Sequence, residues 1–406
     1  MASETAMDDA RWLIGEEGRV SLAQAADWDG PLVAQVARLR RNLSAERAHL
    51  VLEQVGLRRR GREKFALAER MFFTKIGLEQ ATDDVVARYK AARLPAQQPR
   101  VDFCCGIGGD LMSLAADGPT LGVDRDPVTS LFAEANLRAA GRRDTAVRCV
   151  DMGDLTVESA AAWHLDPDRR PSGRRTTRVE LHEPGPEAIR RLLTANPNGA
   201  VKLAPAAVWP EDWTDRAELE WISRDGECRQ LVVWFGALAV APGRRAATVL
   251  ARDGTFRQVV GEVAEVPVAE RVGRYVYEPD AAVLAAKLTA ALAVEHELMA
   301  LSPEIAYLTG DKVAADSALA AFEVREVLPF DMKRLKAELR TRGIGRLEVK
   351  KRGVDCDPAR ICRELRNDGE AAGTLIVSPL AGSMVAILAH RLQRLNVQSE
   401  AHNWTL

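Results

Sequence analysis

The sequence predicts an α/β protein: a mostly parallel sheet core, a helical domain ahead of it and a small α+β domain behind it. Three observations carry this. Through residue 95, apolar side chains recur at helical spacing. From Val101, short apolar runs alternate with helical stretches, as a parallel sheet requires. From Phe322 the alternation resumes on a smaller scale. A chain of 406 residues has room for about two or three domains with cores of their own.

In the leading segment Leu32, Val33, Val36 and Leu39, then Ala45, Ala48, Val51, Leu52 and Val55, recur three and four residues apart, which marks amphipathic helices. Ser44 precedes the second run as an N-cap, because its hydroxyl can accept an otherwise unpaired amide hydrogen of the first turn. Pro95-Ala96-Gln97-Gln98-Pro99 reads as a linker. The strands expected after it are 100–104, 120–123, 146–150, 161–165, 199–203, 229–235 and 246–250. Arg252-Asp253-Gly254-Thr255 is a turn between β-prone runs at 248–251 and 256–260. Residues 280–320 read as helices, with Ala281, Leu284, Ala285, Leu288, Ala291 and Leu292 on one apolar face. The last module reads as strand 322–327, helix 331–342, strand 346–350, helix 357–367 and strands 373–379 and 383–391. The divisions expected are a helical domain 1–95, a sheet domain 96–262, a helical connector 263–321 and an α+β domain 322–406.

Apolar content of 47% and charged content of 28% are ordinary for a soluble globular chain. A formal net charge of −2 excludes a globally basic nucleic-acid binder, so any such surface must be local. No apolar run approaches the ~20 residues of a membrane helix. The acidic start, MASETAMDDARW, lacks a signal-peptide core, so no membrane partner is expected. The six cysteines contain no Cys-x-x-Cys pair. Neither a disulfide framework nor a metal site is expected, and the chain is read as cytoplasmic.

The chemistry concentrates between Val101 and Asp110, where a buried strand ends in a glycine turn and opens a helix. Gly106, Gly108 and Gly109 give G-x-G-G. A dinucleotide fingerprint needs glycine at 111, where Leu111 stands, and no Gly-Lys-Ser/Thr follows to make a phosphate loop. The glycines let the backbone approach a ligand closely. Asp102 lies at the end of the first strand, placed to meet a ligand ammonium group. Asp124 follows Cys104 by twenty residues and closes the second strand, where an acid accepts hydrogen bonds from ribose hydroxyls. Asp151 follows the third apolar run and would border an adenine. No phosphate to cradle, two hydroxyls, a base and a charged amino-acid end suit S-adenosylmethionine. NAD and a plain strand–helix turn are the alternatives at this point.

These segments resemble the class I methyltransferases, with Asp102 to Gly109 as the first motif, Asp124 as the second and Asp151 as the third. The resemblance implies a Rossmann-like, seven-stranded methyltransferase core with S-adenosylmethionine as cofactor. It also places the substrate side after the fourth strand, Ala161–Leu165, at Asp166-Pro167-Asp168-Arg169-Arg170. Enzymes of this class acting on exocyclic amines often carry Asp-Pro-Pro-aromatic there. Asp166-Pro167 fits the start, whereas Asp168 and Arg169 replace the second proline and the ring that would stack on a flipped base. Asp166 can accept a hydrogen bond from a nucleophilic N–H and orient its lone pair. Asp166, Pro167 and Arg169 are the catalytic candidates. Arg169, Arg170, Arg174, Arg175 and Arg178 put five arginines within ten residues, a solvated loop or a phosphate clamp. Arg170, Arg174 and Arg175 are the substrate-binding candidates. His164 reads as a core histidine, and Trp209, Trp213 and Trp221 as packing at the sheet edge.

Phe65–Thr74, running into Gly77-Leu78-Glu79-Gln80-Ala81-Thr82, resembles the helical lead-in of bacterial methyltransferases that carry a C-terminal THUMP-like domain. In them the Gln-Ala-Thr segment helps close the cofactor pocket, which adds Gln80. The cofactor-binding candidates are then Gln80, Asp102, Cys104, Gly106, Gly108, Gly109, Asp124, Arg125, Asp151 and Met152. The first motif is more distantly similar to that of the trimethylguanosine synthases. Leu328-Pro329-Phe330 and Gly345 to Val354 resemble the THUMP-like domain itself, which implies RNA contact, with Lys350, Lys351 and Arg352 able to meet a phosphate backbone. The expectation is an S-adenosylmethionine-dependent methyltransferase acting on RNA, at a base amine. A protein or small-molecule methyltransferase and a non-catalytic module that binds cofactor and RNA are the alternatives.

Overall fold

The computed structural model describes residues 4–170, 174, 176–303, 305–380 and 382–393. The chain forms two compact units, one from the residues up to Glu218 with Leu231–Gly243, the other from Leu219–Gln230 with the chain from Arg244 onward. Among the described residues no helix is long and apolar enough to cross a membrane.

The first unit opens with α1 (Glu4–Ile14), α2 (Glu16–Ala25), α3 (Leu32–Leu39), α4 (Ala45–Gly61), α5 (Lys75–Gln80) and α6 (Asp84–Ala91). The Ser44 hydroxyl caps α4 by accepting from the Arg47 amide, and the Asp83 carboxylate caps α6 through the amides of Val85 and Val86. Ala48, Val51, Leu52 and Val55 are buried on α4 at the expected spacing. On α3 only the C-terminal half is engaged: Leu39 is buried and Val36 partly so, while Leu32 and Val33 are exposed. An eight-residue helix anchored at one end leaves its first turn in solvent.

The sheet follows as β1 (Arg100–Phe103), α7 (Leu111–Leu114), β2 (Thr120–Asp124), α8 (Pro127–Ala139), β3 (Ala146–Cys149), β4 (Ala162–Leu165), α9 (Pro186–Ala195), β5 (Gly199–Leu203) and α10 (Trp213–Arg216). Then β6 (Ala217–Arg224) leads into β7 (Glu227–Phe235). Strands of this unit lie in the order β3-β2-β1-β4-β5-β7, parallel except that β7 runs against β5. The order reverses between β1 and β4, the switch point at which open α/β sheets leave a crevice beyond their strand ends. Register places the candidate residues at that crevice. Phe103 pairs with Val123 on one side and Leu165 on the other, so Cys104, Asp124 and Asp166 leave the sheet at one level.

In the second unit β8 (Arg245–Leu250) pairs in parallel with β6 and antiparallel with β9 (Phe256–Gly261). A seven-stranded sheet comes next. Its elements are β10 (Tyr275–Pro279), α11 (Ala281–Ala286), α12 (Thr289–Glu295), β11 (Met299–Ser302), β12 (Ile305–Gly310), β13 (Leu319–Pro329), α13 (Met332–Thr341), β14 (Ile344–Lys351), α14 (Pro358–Leu365), β15 (Ala371–Leu380) and β16 (Ser383–Arg391). The strand order is β11-β12-β10-β13-β16-β15-β14, with Leu335, Leu339, Ile361 and Leu365 of α13 and α14 in a core against it.

This corrects the helical connector at 263–321. Only α11 and α12 are helical there, while β10, β11 and β12 extend the sheet of the last module. Lys287, in the left-handed region at φ +59°, ends α11. The buried face is therefore Ala282, Val283 and Ala286, not Ala281, Leu284 and Ala285. Apolar runs of four to six residues carry too few periods to separate strand from helix, and pairing with distant strands decides.

Gly199 shows how tightly the first sheet is packed. A Cβ there would fall 2.2 Å from Cζ2 of Trp163, which is fully buried. Gly199→Ala is expected to destabilise the protein by about 1–3 kcal/mol through overpacking, read from the midpoint of urea unfolding.

Candidate active site

Beyond the switch point lies a pocket of about 1060 Å³. Its floor is the glycine turn, where Cys104, Gly106 and Gly108 all take positive φ (52°, 55° and 90°). The turn aims the Gly106 amide at Asp124 Oδ2 (2.9 Å), while the Asp126 amide holds Oδ1 (2.9 Å). The Asp124 carboxylate is thus fixed in orientation before any ligand arrives. Burial pushes its carboxyl above the usual range, against the pull of these two amides. Burial also pushes the Cys104 thiol far up, as do the nearby carboxylates of Asp124 and Asp166, so it is no thiolate nucleophile.

Gly109 is needed for a close approach. A Cβ there would lie 3.0 Å from the Thr82 carbonyl oxygen and 3.2 Å from Ala81 Cβ. The segment after α5 therefore rests on the glycine turn, and Gln80 lines the pocket. Lys64 Nζ holds that segment by donating to the carbonyls of Leu78 (2.8 Å), Glu79 (3.0 Å) and Ala81 (2.8 Å).

Behind the turn runs a buried polar chain. Lys90 Nζ lies 2.7 Å from Asp110 Oδ1 and 3.3 Å from His164 Nε2, and His164 Nδ1 lies 2.7 Å from Asp102 Oδ1. Thr82 Oγ1 donates to the other oxygen of Asp110 (2.7 Å). Because Lys90 can only donate, Nε2 of His164 accepts and Nδ1 carries the hydrogen given to Asp102. Burial works against ionising Asp110, but the ammonium groups around it, Lys90 first, outweigh it and hold the carboxyl well below the usual range. For Asp102 burial dominates and pushes its carboxyl up, with His164 opposing. Asp102 Oδ2 is buried in the wall of the pocket and has no partner among the described residues.

Beyond the end of β4, Asp166, Pro167 and Arg169 line the pocket. Asp166 Oδ2 is ion-paired with Lys202 Nζ. Arg170 lies outside the lining residues, 3.8 Å from Glu79, Arg174 is exposed, and Arg175 falls outside the described residues. Arg125 forms an exposed two-pronged ion pair with Glu183 across the mouth. Asp151 is exposed at the rim, where its Oδ1 holds the Gly153 amide (2.8 Å) beside Met152. Among the described lining residues there is no Phe, Tyr or Trp. Trp213 and Trp221 are buried in packing, and Trp209 is partly buried.

The sequence reading passed over Lys90, Asp110 and Lys202. Lys90 stands four residues after the buried Val86 of α6, a core position for a lysine. Lys202 interrupts the apolar strand Gly-Ala-Val-Lys-Leu. A cation at a core position signals a buried partner, but its identity is set by a distant segment.

In the second unit Lys350 and Arg352 are both spent on Glu278, at 2.7 Å and 3.1 Å. Burial opposes ionising Glu278, but this pairing holds its carboxyl below the usual range. Of the three cations expected to face phosphate, two are compensated within the unit, and Lys351 is exposed. In the same unit the ligand-type groups Glu295, His296 and Asp316 are likewise occupied: Arg257 lies 2.6 Å from Glu295 and 3.0 Å from Asp316.

A ligand pocket at a parallel-sheet switch point, with an acid at each strand end, defines an α/β enzyme for a nucleoside-type cofactor. Comparison with known proteins specifies the class. An uncharacterized S-adenosylmethionine-dependent methyltransferase of Mycobacterium tuberculosis, found in strains CDC 1551 and H37Rv, is 31% identical over 355 residues, covering 85% of this chain and 97% of the relative. Residues 319–391 match the model of THUMP domain-like sequences, and residues 6–61 match a domain of unknown function, DUF8688. A crystal structure from Porphyromonas gingivalis W83, of a protein designated as a methyltransferase, shares the fold at TM-score 0.78 and 19% identity, over 97% of this chain and all of that one. The chain belongs to the family of S-adenosylmethionine-dependent methyltransferases with a C-terminal THUMP-like domain. It is an enzyme of the class I fold, and S-adenosylmethionine is its cofactor. The residues present fit that group: the unpartnered, buried Asp102 Oδ2 suits an ammonium, and the positive-φ turn leaves room for close backbone contact.

Removing Lys90 strands Asp110 as a buried, uncompensated carboxylate. Lys90→Met is expected to lower stability by about 3–5 kcal/mol, measured by urea unfolding. Lys90→Met with Asp110→Asn is expected to recover a large part of that loss, because the two side chains act as one unit.

Proposed function

We propose that this enzyme methylates RNA, at an amine of a base, with Asp166 as the group that orients the acceptor. The observation that carries this reading is that Asp166, Pro167 and Arg169 share one chamber with Asp102, Asp124 and Gln80. S-adenosylmethionine supplies an electrophilic methyl group when bound. In this reading Asp102 Oδ2 receives the ligand ammonium and Asp124 takes the ribose hydroxyls. Asp151 and Met152 border the adenine, flanked by Arg125. Cys104, Gly106, Gly108 and Gly109 present backbone to the ligand, and Gln80 closes over it. Oδ1 of Asp166, with no partner among the described residues, accepts a hydrogen from the acceptor amine and turns its lone pair inward. Pro167 stiffens the backbone beside it. Arg169, with Arg170, Arg174 and Arg175 on the same loop, meets phosphate charge. The THUMP domain-like match supports an RNA substrate. A protein or small-molecule acceptor is the second reading, favoured by the aromatic-free lining, since a flipped base usually stacks on a ring.

Incubation with methyl-labelled cofactor and total cellular RNA, protein or small metabolites separates the readings. Label in RNA is expected, and label confined to another fraction would sink the RNA reading. Asp124→Ala is expected to weaken S-adenosylhomocysteine binding about 10- to 100-fold by calorimetry, as loss of charge-assisted hydrogen bonds does. The pH dependence follows from Asp102. A carboxylate attracts an ammonium only when ionised, and burial has raised its pKa. Affinity is therefore expected to fall as pH drops through that raised value, and Asp102→Asn to abolish this fall. Binding unchanged by either substitution would remove the assignment.

A further inference from the structure

The four carbonyls from Leu78 to Ala81 are all capped by ammonium groups from elsewhere in the fold. Lys64 takes three of them. Lys202 Nζ takes the fourth, donating to the Gln80 carbonyl at 3.1 Å. The two lysines differ in one respect that matters chemically: Lys202 also binds Asp166 Oδ2. Register explains how one side chain reaches both. Leu165 pairs with Val201, so Lys202 lies one residue beyond that pair, level with Asp166. Its side chain is only 8% exposed, on a strand buried along its whole length. An ammonium at such depth is costly unless it is paired with an opposite charge and hydrogen-bonded. Here one acceptor belongs to the segment resting on Gly109 and the other to the acceptor-side carboxylate.

We propose that Lys202 is a positioning residue that couples the acceptor side of the pocket to the segment closing its cofactor side. The inference rests on the reading of Asp166 as the acceptor-orienting group, but its mechanical content is independent of the substrate. By holding Oδ2, Lys202 fixes the carboxylate plane and leaves Oδ1 as the oxygen for the acceptor. By holding the Gln80 carbonyl, it keeps residues 78–82 against the glycine turn. A displacement on either side reaches the other through this buried ammonium, beside the looser and more exposed Arg170–Glu79 ion pair at 3.8 Å. Among the described residues no hydrogen bond joins Asp166 directly to residues 78–82, and Lys202 bonds both.

The test uses the full chain, amide hydrogen exchange of residues 78–82 and calorimetric titration with S-adenosylhomocysteine. Lys202→Met is expected to speed exchange in 78–82 about tenfold and to weaken S-adenosylhomocysteine about tenfold, the scale of a typical coupling between sites. Exchange in β4 is expected to stay at the wild-type rate, which a general loss of stability would not allow. Asp166→Asn keeps the shape but removes the charge that holds the ammonium, and it too is expected to speed exchange in 78–82. Should Lys202→Met not fold, Asp166→Asn decides alone. Wild-type exchange in Asp166→Asn overturns the coupling, and so does a uniform rise in β4 and 78–82 alike in Lys202→Met. Faster exchange without label in RNA counts against the RNA reading and leaves the role of Lys202 standing.

Discussion

Lys90 sits fully buried between Asp110 and His164, and through His164 the contact continues to Asp102. An ammonium and two carboxylates at this depth are tolerated only as a set, because each charge alone would face a desolvation penalty of several kcal/mol. The set spans α6, the residue that follows the glycine turn, β4 and β1. Helical lead-in and sheet are thereby pinned at one point in the wall of the pocket. Part of the pocket wall depends on this chain: Asp110 anchors Thr82, Thr82 lies on Gly109, and His164 holds one oxygen of Asp102 and leaves the other bare.

Two buried lysines of the first unit, Lys90 and Lys202, divide the pocket between them. Lys90 serves the interior, where burial and compensation set the charge states of Asp102 and Asp110 in opposite directions. Lys202 serves the end of β4, where Asp166 keeps partial exposure. The lead-in segment 78–82 meets Lys202 through the Gln80 carbonyl and reaches the partner of Lys90, Asp110, through Thr82, so the helical domain ahead of the sheet contributes a wall of the pocket. In the second unit the same rule of compensation has the opposite consequence. Lys350 and Arg352 look like a basic strand end, yet Glu278 consumes both.

Much of the fold was legible because its signals are local. A glycine turn after an apolar strand, an N-cap at Ser44 and period-four burial on α4 all lie within a few residues of their effect. The connector was misread for the complementary reason. Met299–Ser302 and Ile305–Gly310 carry no period long enough to identify them, and their strand character comes from pairing with each other and with β10.

The site divides along the same line. The sequence by itself determined that acids stand at successive strand ends, that glycines occupy the turn between them and that arginines follow the fourth strand, since these are properties of residue type and spacing. Only the tertiary structure decided that Asp102, Asp124 and Asp166 face one chamber, and that Asp102 keeps a bare oxygen while Asp166 gives one to Lys202. It also decided that Lys90, seventy-four residues from His164, belongs to the same network. The reason is physical: a buried charge is stable only beside its counter-charge, and the segment that supplies it is chosen by packing, which no local pattern records.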